Sequence, residues 1–139
     1  MAAGARLMTE YELHVSILSY LRIALPEGSA IHHSPNEGAH KIAYRMKQKR
    51  QGVIAGWPDL EIFVPPAAWT SETVPWCPIF LEIKTPKGRV SENQKAAHKL
   101  LTSCGCAVAV VRSIEETAQA VGSLVLLREK NYANHPFQT

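Results

Sequence analysis

The stretch IFLEIKTPKGRVSENQ, residues 79–94, decides how the rest of the chain is read. Its opening, Ile79 to Thr85, is composed as a strand, and Pro86-Lys87-Gly88 turns the chain out of it. Residues two apart in a strand share a face. Leu81 and Ile83 therefore point toward a core, while Glu82 and Lys84 project together on the other side. Opposite charges in an otherwise apolar run have two readings: a wet face carrying a salt bridge, or a site that uses the charges. Ser91 then stands where a helix to about Ser103 would take its N-cap.

Upstream, Gly56-Trp57-Pro58 reads as a turn and Leu60 to Val64 as a strand. Between them sits Asp59, the only aspartate in the chain. If residues 59–64 and 79–85 pair as a hairpin, Asp59 comes close to Glu82 across the ladder. Pro65 to Pro78, with four prolines and two tryptophans, joins the two strands as a loop. Downstream, Ala107 to Val111 is a continuous apolar run of the kind found in buried central strands. Ser113 caps a further short helix, with Glu115 and Glu116 in its favoured first turn.

Toward the N-terminus, Thr9 and Glu12 have capping-box spacing and open a periodic apolar segment to about Leu25, which Pro26 and Gly28 end. Ala30 to His33 suits a short strand, and residues 39–51 have helical character up to Gly52. No pattern is legible after about Gly122. The order predicts a mixed α/β domain with helices about one sheet.

The 139 residues, 46% hydrophobic and 19% charged, can bury one core but not two ordinary ones. The reading is one domain over residues 1–139, with its core at about 9–121. Net charge is only +3, but it is unevenly spread. No acidic residue falls between Glu37 and Asp59, whereas Lys41, Arg45, Lys47, Lys49 and Arg50 cluster there. Such a face suits a polyanion, or is simply a solvated helix face. Three cysteines, an odd count without framework spacing, read against a disulfide scaffold and fit a reducing cytoplasm; Cys104-x-Cys106 reads as strand packing, not zinc. No apolar run approaches a membrane span.

Two carboxylates meeting beside a lysine are costly unless something neutralises them. Oxygen donors of this kind suit Mg²⁺ or Mn²⁺, which keep positions open for water and phosphate oxygens. Lys84 is then placed to orient a water or stabilise a pentavalent phosphorus.

Three pieces in order, GWPDLEIFV (56–64), IFLEIKTPKGRVSENQ (79–94) and GCAVAVVRS (105–113), resemble the virus-type replication-repair nuclease (VRR-NUC) domains. These belong to the PD-(D/E)xK, restriction-endonuclease-like superfamily. The resemblance runs through G-x-P-D-L, E-x-K-x-P-x-G-x-x-S-x-x-Q and the valine-rich strand, and covers Thr9 to about Val121. It implies a mixed central sheet flanked by helices, standing alone as in bacterial and phage members. It also implies an Mg²⁺- or Mn²⁺-dependent endonuclease for branched DNA, flaps or Holliday-type junctions, working as a homodimer in a bacterial cytoplasm.

Carried over by residue, the resemblance makes Asp59, Glu82 and the backbone carbonyl of Ile83 metal ligands, Lys84 the catalytic lysine, and Gln94 the glutamine of the following helix. The family adds a first-helix glutamate in an E-x-x-x-Q setting. Glu10 shares its face with Leu13, His14, Ile17 and Leu21; Glu12, the alternative, shares one with Ser16 and Ser19, the apparent wet side. His14 stands where the family has glutamine, and is able to pair with Glu10 or join the metal shell. His32, His33 and His40, flanking Pro35-Asn36, read as loop or phosphate-contacting residues and not as a zinc site, since no thiolate or H-x₃₋₅-H context accompanies them, with Asn36 at the site entrance. Trp57, Trp69 and Trp76 are candidates to stack on bases, although Trp57 in a proline turn suits packing at least as well. The cluster Lys41, Arg45, Lys47, Lys49 and Arg50, extended by Lys87 and Arg89, then reads as backbone-phosphate contacts. The rival readings are a catalytically inactive nucleic-acid-binding module of the same fold, and a protein-interaction domain using the loop 65–78.

Overall fold

The computed structural model describes residues 4–35, 41–70 and 77–128. Asn36, His40 and Trp76, singled out above, lie outside the described residues. The elements in order are α1 (Glu10–Ala24), β1 (Ala30–His33), α2 (Ile42–Arg50), β2 (Leu60–Phe63), a short 3-10 turn (Pro66–Ala68), β3 (Ile79–Ile83), α3 (Glu92–Ser103), β4 (Ala107–Val111) and α4 (Ile114–Gly122). The strands form one sheet in the order β1-β2-β3-β4. β1 and β2 pair antiparallel, as do β2 and β3, whereas β3 and β4 run parallel with α3 as the crossover.

Local chemistry sets the helix ends. The Thr9 hydroxyl accepts the Glu12 amide at 3.1 Å and starts α1. At α3 both halves of a capping box form: Ser91 Oγ accepts the Gln94 amide, and Gln94 Oε1 accepts the Ser91 amide at 2.9 Å. Along α1, Leu13, Ile17, Tyr20, Leu21 and Ala24 recur at helical spacing and are buried. They pack over one sheet face, with Leu60, Ile62, Leu81, Ile83, Val111 and, from α4, Val121. Burial of each such side chain contributes about 1.5–3 kcal/mol. Phe80 and Glu82 alternate with these residues and belong to the other face, where His98 of α3 reaches Glu82.

Two expectations are corrected. Cys77 and Cys106 are joined in a disulfide with their Cα atoms 5.4 Å apart, and Cys104 is the free, exposed cysteine. The physical reason is the parallel register: Ile79 pairs with Ala107, so residues just ahead of both strands meet, a long-range contact that local spacing does not reveal. The inference of a reducing cytoplasm loses that support. Ser16, read as part of a wet face, is buried, because α1 is covered over more than its apolar stripe. Among the described residues, no helix is long and apolar enough to cross a membrane.

Beyond α4 the chain turns back. Val125 bridges to Trp69 and is buried in the core, and the Arg128 amide donates to the Ala24 carbonyl at the end of α1.

The turn before β2 is fitted against the start of α3. Gly56 has φ +77, and a Cβ there would lie 2.4 Å from the backbone carbonyl carbon of Asn93. Gly52 has φ +97 but open space around the same position. We expect Gly52→Ala to cost about 1 kcal/mol of backbone strain, and Gly56→Ala at least about twice that through displacement of α3. Urea denaturation of the two variants beside wild type measures the difference; equal losses would mean that the turn does not abut α3.

Candidate active site

Asp59 lies one residue ahead of β2, and the register Leu60↔Leu81 sets it across from Glu82. Its Oδ2 accepts the Ile83 amide at 2.7 Å, so the carboxylate extends the β2–β3 ladder by one bond. Its backbone carbonyl accepts the Ser34 amide at 3.2 Å and lies 2.7 Å from His33 Nδ1. One residue thus joins β1, β2 and β3.

Glu82 is only 1% exposed, which removes the wet-face reading of the opening motif. Its carboxyl is pushed up to about 9, first by burial, then by the hydrogen bond and charge of Asp59, with Glu10 adding and Lys84 opposing. At neutral pH the uncomplexed site therefore holds a proton on Glu82. His98 Nε2 lies 3.3 Å from Glu82 Oε1 in ion-pair geometry. Burial lowers the His98 pKa, however, so this contact is a neutral hydrogen bond at pH 7 and not a salt bridge.

Asp59 and Lys84 line a groove of about 1350 Å³ together with Glu10, His14, His33 and Gln94. Of the two first-helix glutamates, Glu10 is the one on the groove, and its charge is felt by Glu82. Glu12 is held by Arg6 through two contacts of 3.0 and 3.1 Å, with Thr9 adding a third, and the Arg6 guanidinium keeps its carboxyl below the usual range. Gln94 reaches the groove, but its Oε1 is used in the capping box, leaving the NH₂ for other partners. Ile83 meets Asp59 through its amide.

The basic residues divide. Arg45 and Lys49, four apart on α2, line the groove. Lys41, Lys47 and Arg50 are exposed on or beside the same helix, and Lys87 and Arg89 are exposed after β3, all five outside the groove lining. Trp57 is occupied in packing: its indole donates to Glu61 at 2.7 Å and meets Phe80 edge-on at 5.5 Å. The Trp69 indole donates to the Val64 carbonyl. His32 is exposed, 3.9 Å from Glu61. His33 lies at the end of strand β1 and not in a loop, beside Asp59 and on the groove.

Two groups were missed in the sequence. His98 follows Gln94 by four residues on one helix, a spacing that already placed it on the same face. Arg112, at the end of β4, donates to the carbonyls of Thr85 at 2.6 Å and Gly88 at 2.7 Å, fastening the loop that leaves Lys84. No local pattern marks that contact, because its partners are backbone atoms distant in sequence.

The donor set fits a divalent cation. Asp59 and Glu82 carboxylates converge with Glu10 nearby, and Glu82 can carry its charge only where a cation replaces its proton. His14, His33 and Asp59 also bring ligand atoms within 4.8 Å of one another.

A mixed sheet thus carries converging carboxylates and a lysine at one strand end. The VRR-NUC domain profile matches residues 4–115. A solved structure described as a VRR_NUC domain protein superposes with a TM-score of 0.63 at 24% identity, covering 84% of this chain and 88% of its own. A comparison with curated proteins finds no match. The chain belongs to the VRR-NUC domain family, a nuclease-related family, and has the fold that the resemblance implied.

A carboxyl whose folded pKa is raised binds its proton more tightly folded than unfolded. The protein must then lose stability as pH climbs from about 4.5 toward about 9 in the absence of metal. Glu82→Gln abolishes this cost. We expect urea midpoints in EDTA to fall between pH 6 and pH 8.5 for wild type and to stay flat across Glu82 for the variant; parallel slopes would show that Glu82 is not protonated at pH 6.

Proposed function

We propose that this domain is a divalent-metal-dependent DNA endonuclease that cuts phosphodiester bonds in branched DNA, such as flaps or four-way junctions. The observation that carries the reading is the buried Glu82 beside Asp59, a carboxyl whose burial and neighbours favour its protonated form unless a cation takes the proton's place, with Lys84 on the groove that Asp59 lines. Family membership supports the nuclease class and DNA as substrate.

Glu10, Asp59, Glu82 and the Ile83 carbonyl are the residues to hold Mg²⁺ or Mn²⁺. Such an ion polarises the phosphodiester and lowers the pKa of a bound water. Lys84 contributes a fixed ammonium toward a scissile phosphate oxygen or the attacking water. His98 holds the Glu82 carboxyl from the α3 side, and the Gln94 NH₂, not used in the capping box, is the group to meet phosphate or water in the groove. Arg45 and Lys49 steer the backbone into the groove, and Lys41, Lys47, Arg50, Lys87 and Arg89 lengthen the basic surface on either side. A two-fold homodimer would offer paired grooves to a symmetric junction. α2 has no buried residue, and its exposed Ile42 and Met46 are available to a partner or to DNA.

The test is cleavage of labelled single strand, duplex, 5′ flap, 3′ flap, splayed arm and four-way junction with Mg²⁺, Mn²⁺ or EDTA. Wild type should cut a branched substrate only with metal, and Asp59→Asn and Lys84→Ala should each lower the rate by at least about 100-fold with DNA binding kept. Arg45→Ala/Lys49→Ala should weaken binding alike across substrates and flatten its salt dependence by about two charges. Binding without cutting would instead favour the inactive binding module.

A further inference from the structure

The geometry points to a second kind of metal position: His14, His33 and Asp59 form a nitrogen-bearing site for a first-row transition-metal dication. It adjoins the all-oxygen site and shares Asp59 with it. This rests on the metal-dependent reading of the groove and adds the class of ion it takes. The three residues come from α1, β1 and the start of β2, and their ligand atoms lie within 4.8 Å of one another.

The tautomer of His33 is fixed by its partner. A backbone carbonyl only accepts, so His33 Nδ1, 2.7 Å from the Asp59 carbonyl, carries the hydrogen and donates it. Nε2 is left with the lone pair. Metal-binding histidines are oriented in this way, the far ring nitrogen donating to a carbonyl or carboxylate. The His14 and His33 rings stand edge to face with centroids 4.7 Å apart, angled and not stacked in parallel. Both are half-buried and line the groove, and so does Asp59. Asp59 Oδ2 is engaged by the Ile83 amide, which fixes the orientation of the carboxylate.

Two imidazoles and a carboxylate are a poor set for Mg²⁺, which takes oxygen ligands and keeps its waters. The same set suits Mn²⁺, Co²⁺ or Zn²⁺, whose affinity for nitrogen rises along that series. The oxygen set of Glu10, Asp59 and Glu82 makes the opposite choice. The groove thus discriminates among ions from its two sides.

The test is pulsed electron paramagnetic resonance of bound Mn²⁺, which detects directly bonded nitrogen, beside titration calorimetry with Mn²⁺ and Mg²⁺. Wild type should show imidazole nitrogen coupling and bind more Mn²⁺ than Mg²⁺ per chain. His14→Gln/His33→Gln should lose the coupling and weaken this Mn²⁺ site roughly 100-fold or more, with Mg²⁺ binding kept. Glu82→Gln should keep the coupling. Melting in EDTA identifies a variant that fails to fold, and His14→Gln alone then takes the place of the pair. Mn²⁺ bound without nitrogen coupling, or coupling untouched by the histidine substitutions, overturns the site. DNA cleavage by wild type separates the two claims: cutting without nitrogen coupling removes this site and leaves the nuclease, and coupling without cutting does the reverse.

Discussion

The β2–β3 ladder stops at Leu60↔Leu81, and at its open end the Ile83 amide finds its acceptor in a side chain, Asp59 Oδ2. A buried amide without a partner would cost about 1–3 kcal/mol, so the carboxylate is held firmly at that height on the sheet. From there the other contacts follow. The Asp59 carbonyl takes Ser34 and His33 from β1, the carboxylate stands against Glu82, and the preceding Gly56 turn lies on the start of α3. Removal of the aspartate would loosen the junction of three strands as well as any chemistry proposed for it, which is why Asn, able to accept the same amide, is the informative substitution.

Much of the fold was legible because its signals are local. Thr9, Ser91 and Ser113 cap the helices expected of them, and the periodicity of α1 names its buried face down to Leu13, Ile17 and Leu21. The strands at 60–64 and 79–85 run slightly past those observed: Val64 and Thr85 are β-branched, and the Lys84 amide still donates to the Val111 carbonyl. What stayed hidden depends on the sheet closing first. The Cys77–Cys106 disulfide needs the parallel register of β3 and β4, and Val125 enters the core only because residues 66–70 are there to meet it.

The site divides along the same line. Asp59, Glu82 and Lys84 announce themselves, because charges in a strand built for burial require a reason. Glu10 against Glu12 was a question of helix face; Arg6, which engages Glu12, lies outside any periodic pattern. His33 was assigned to a loop although its strand had been read, and only the β1–β2 register brings it to Asp59. Arg112 acts on backbone carbonyls, to which sequence patterns are blind.

The arrangement opposes its own stability. A buried carboxyl is tolerated as the neutral acid, and every neighbour that raises its proton affinity makes the ionised form harder to keep. Lys84 offsets this only in part, and His98, neutral through burial, contributes a dipole and no charge. A retired binding surface would gain by replacing Glu82 with glutamine, which preserves shape and removes the cost. Retention of the acid makes sense if a cation completes it: binding then adds stability in proportion to ln(1 + [metal]/Kd) and expels the Glu82 proton. On the proposed function, fold and activity are linked through that one carboxyl. The same residue that weakens the empty domain at high pH would, in the proposed nuclease, draw in the cation.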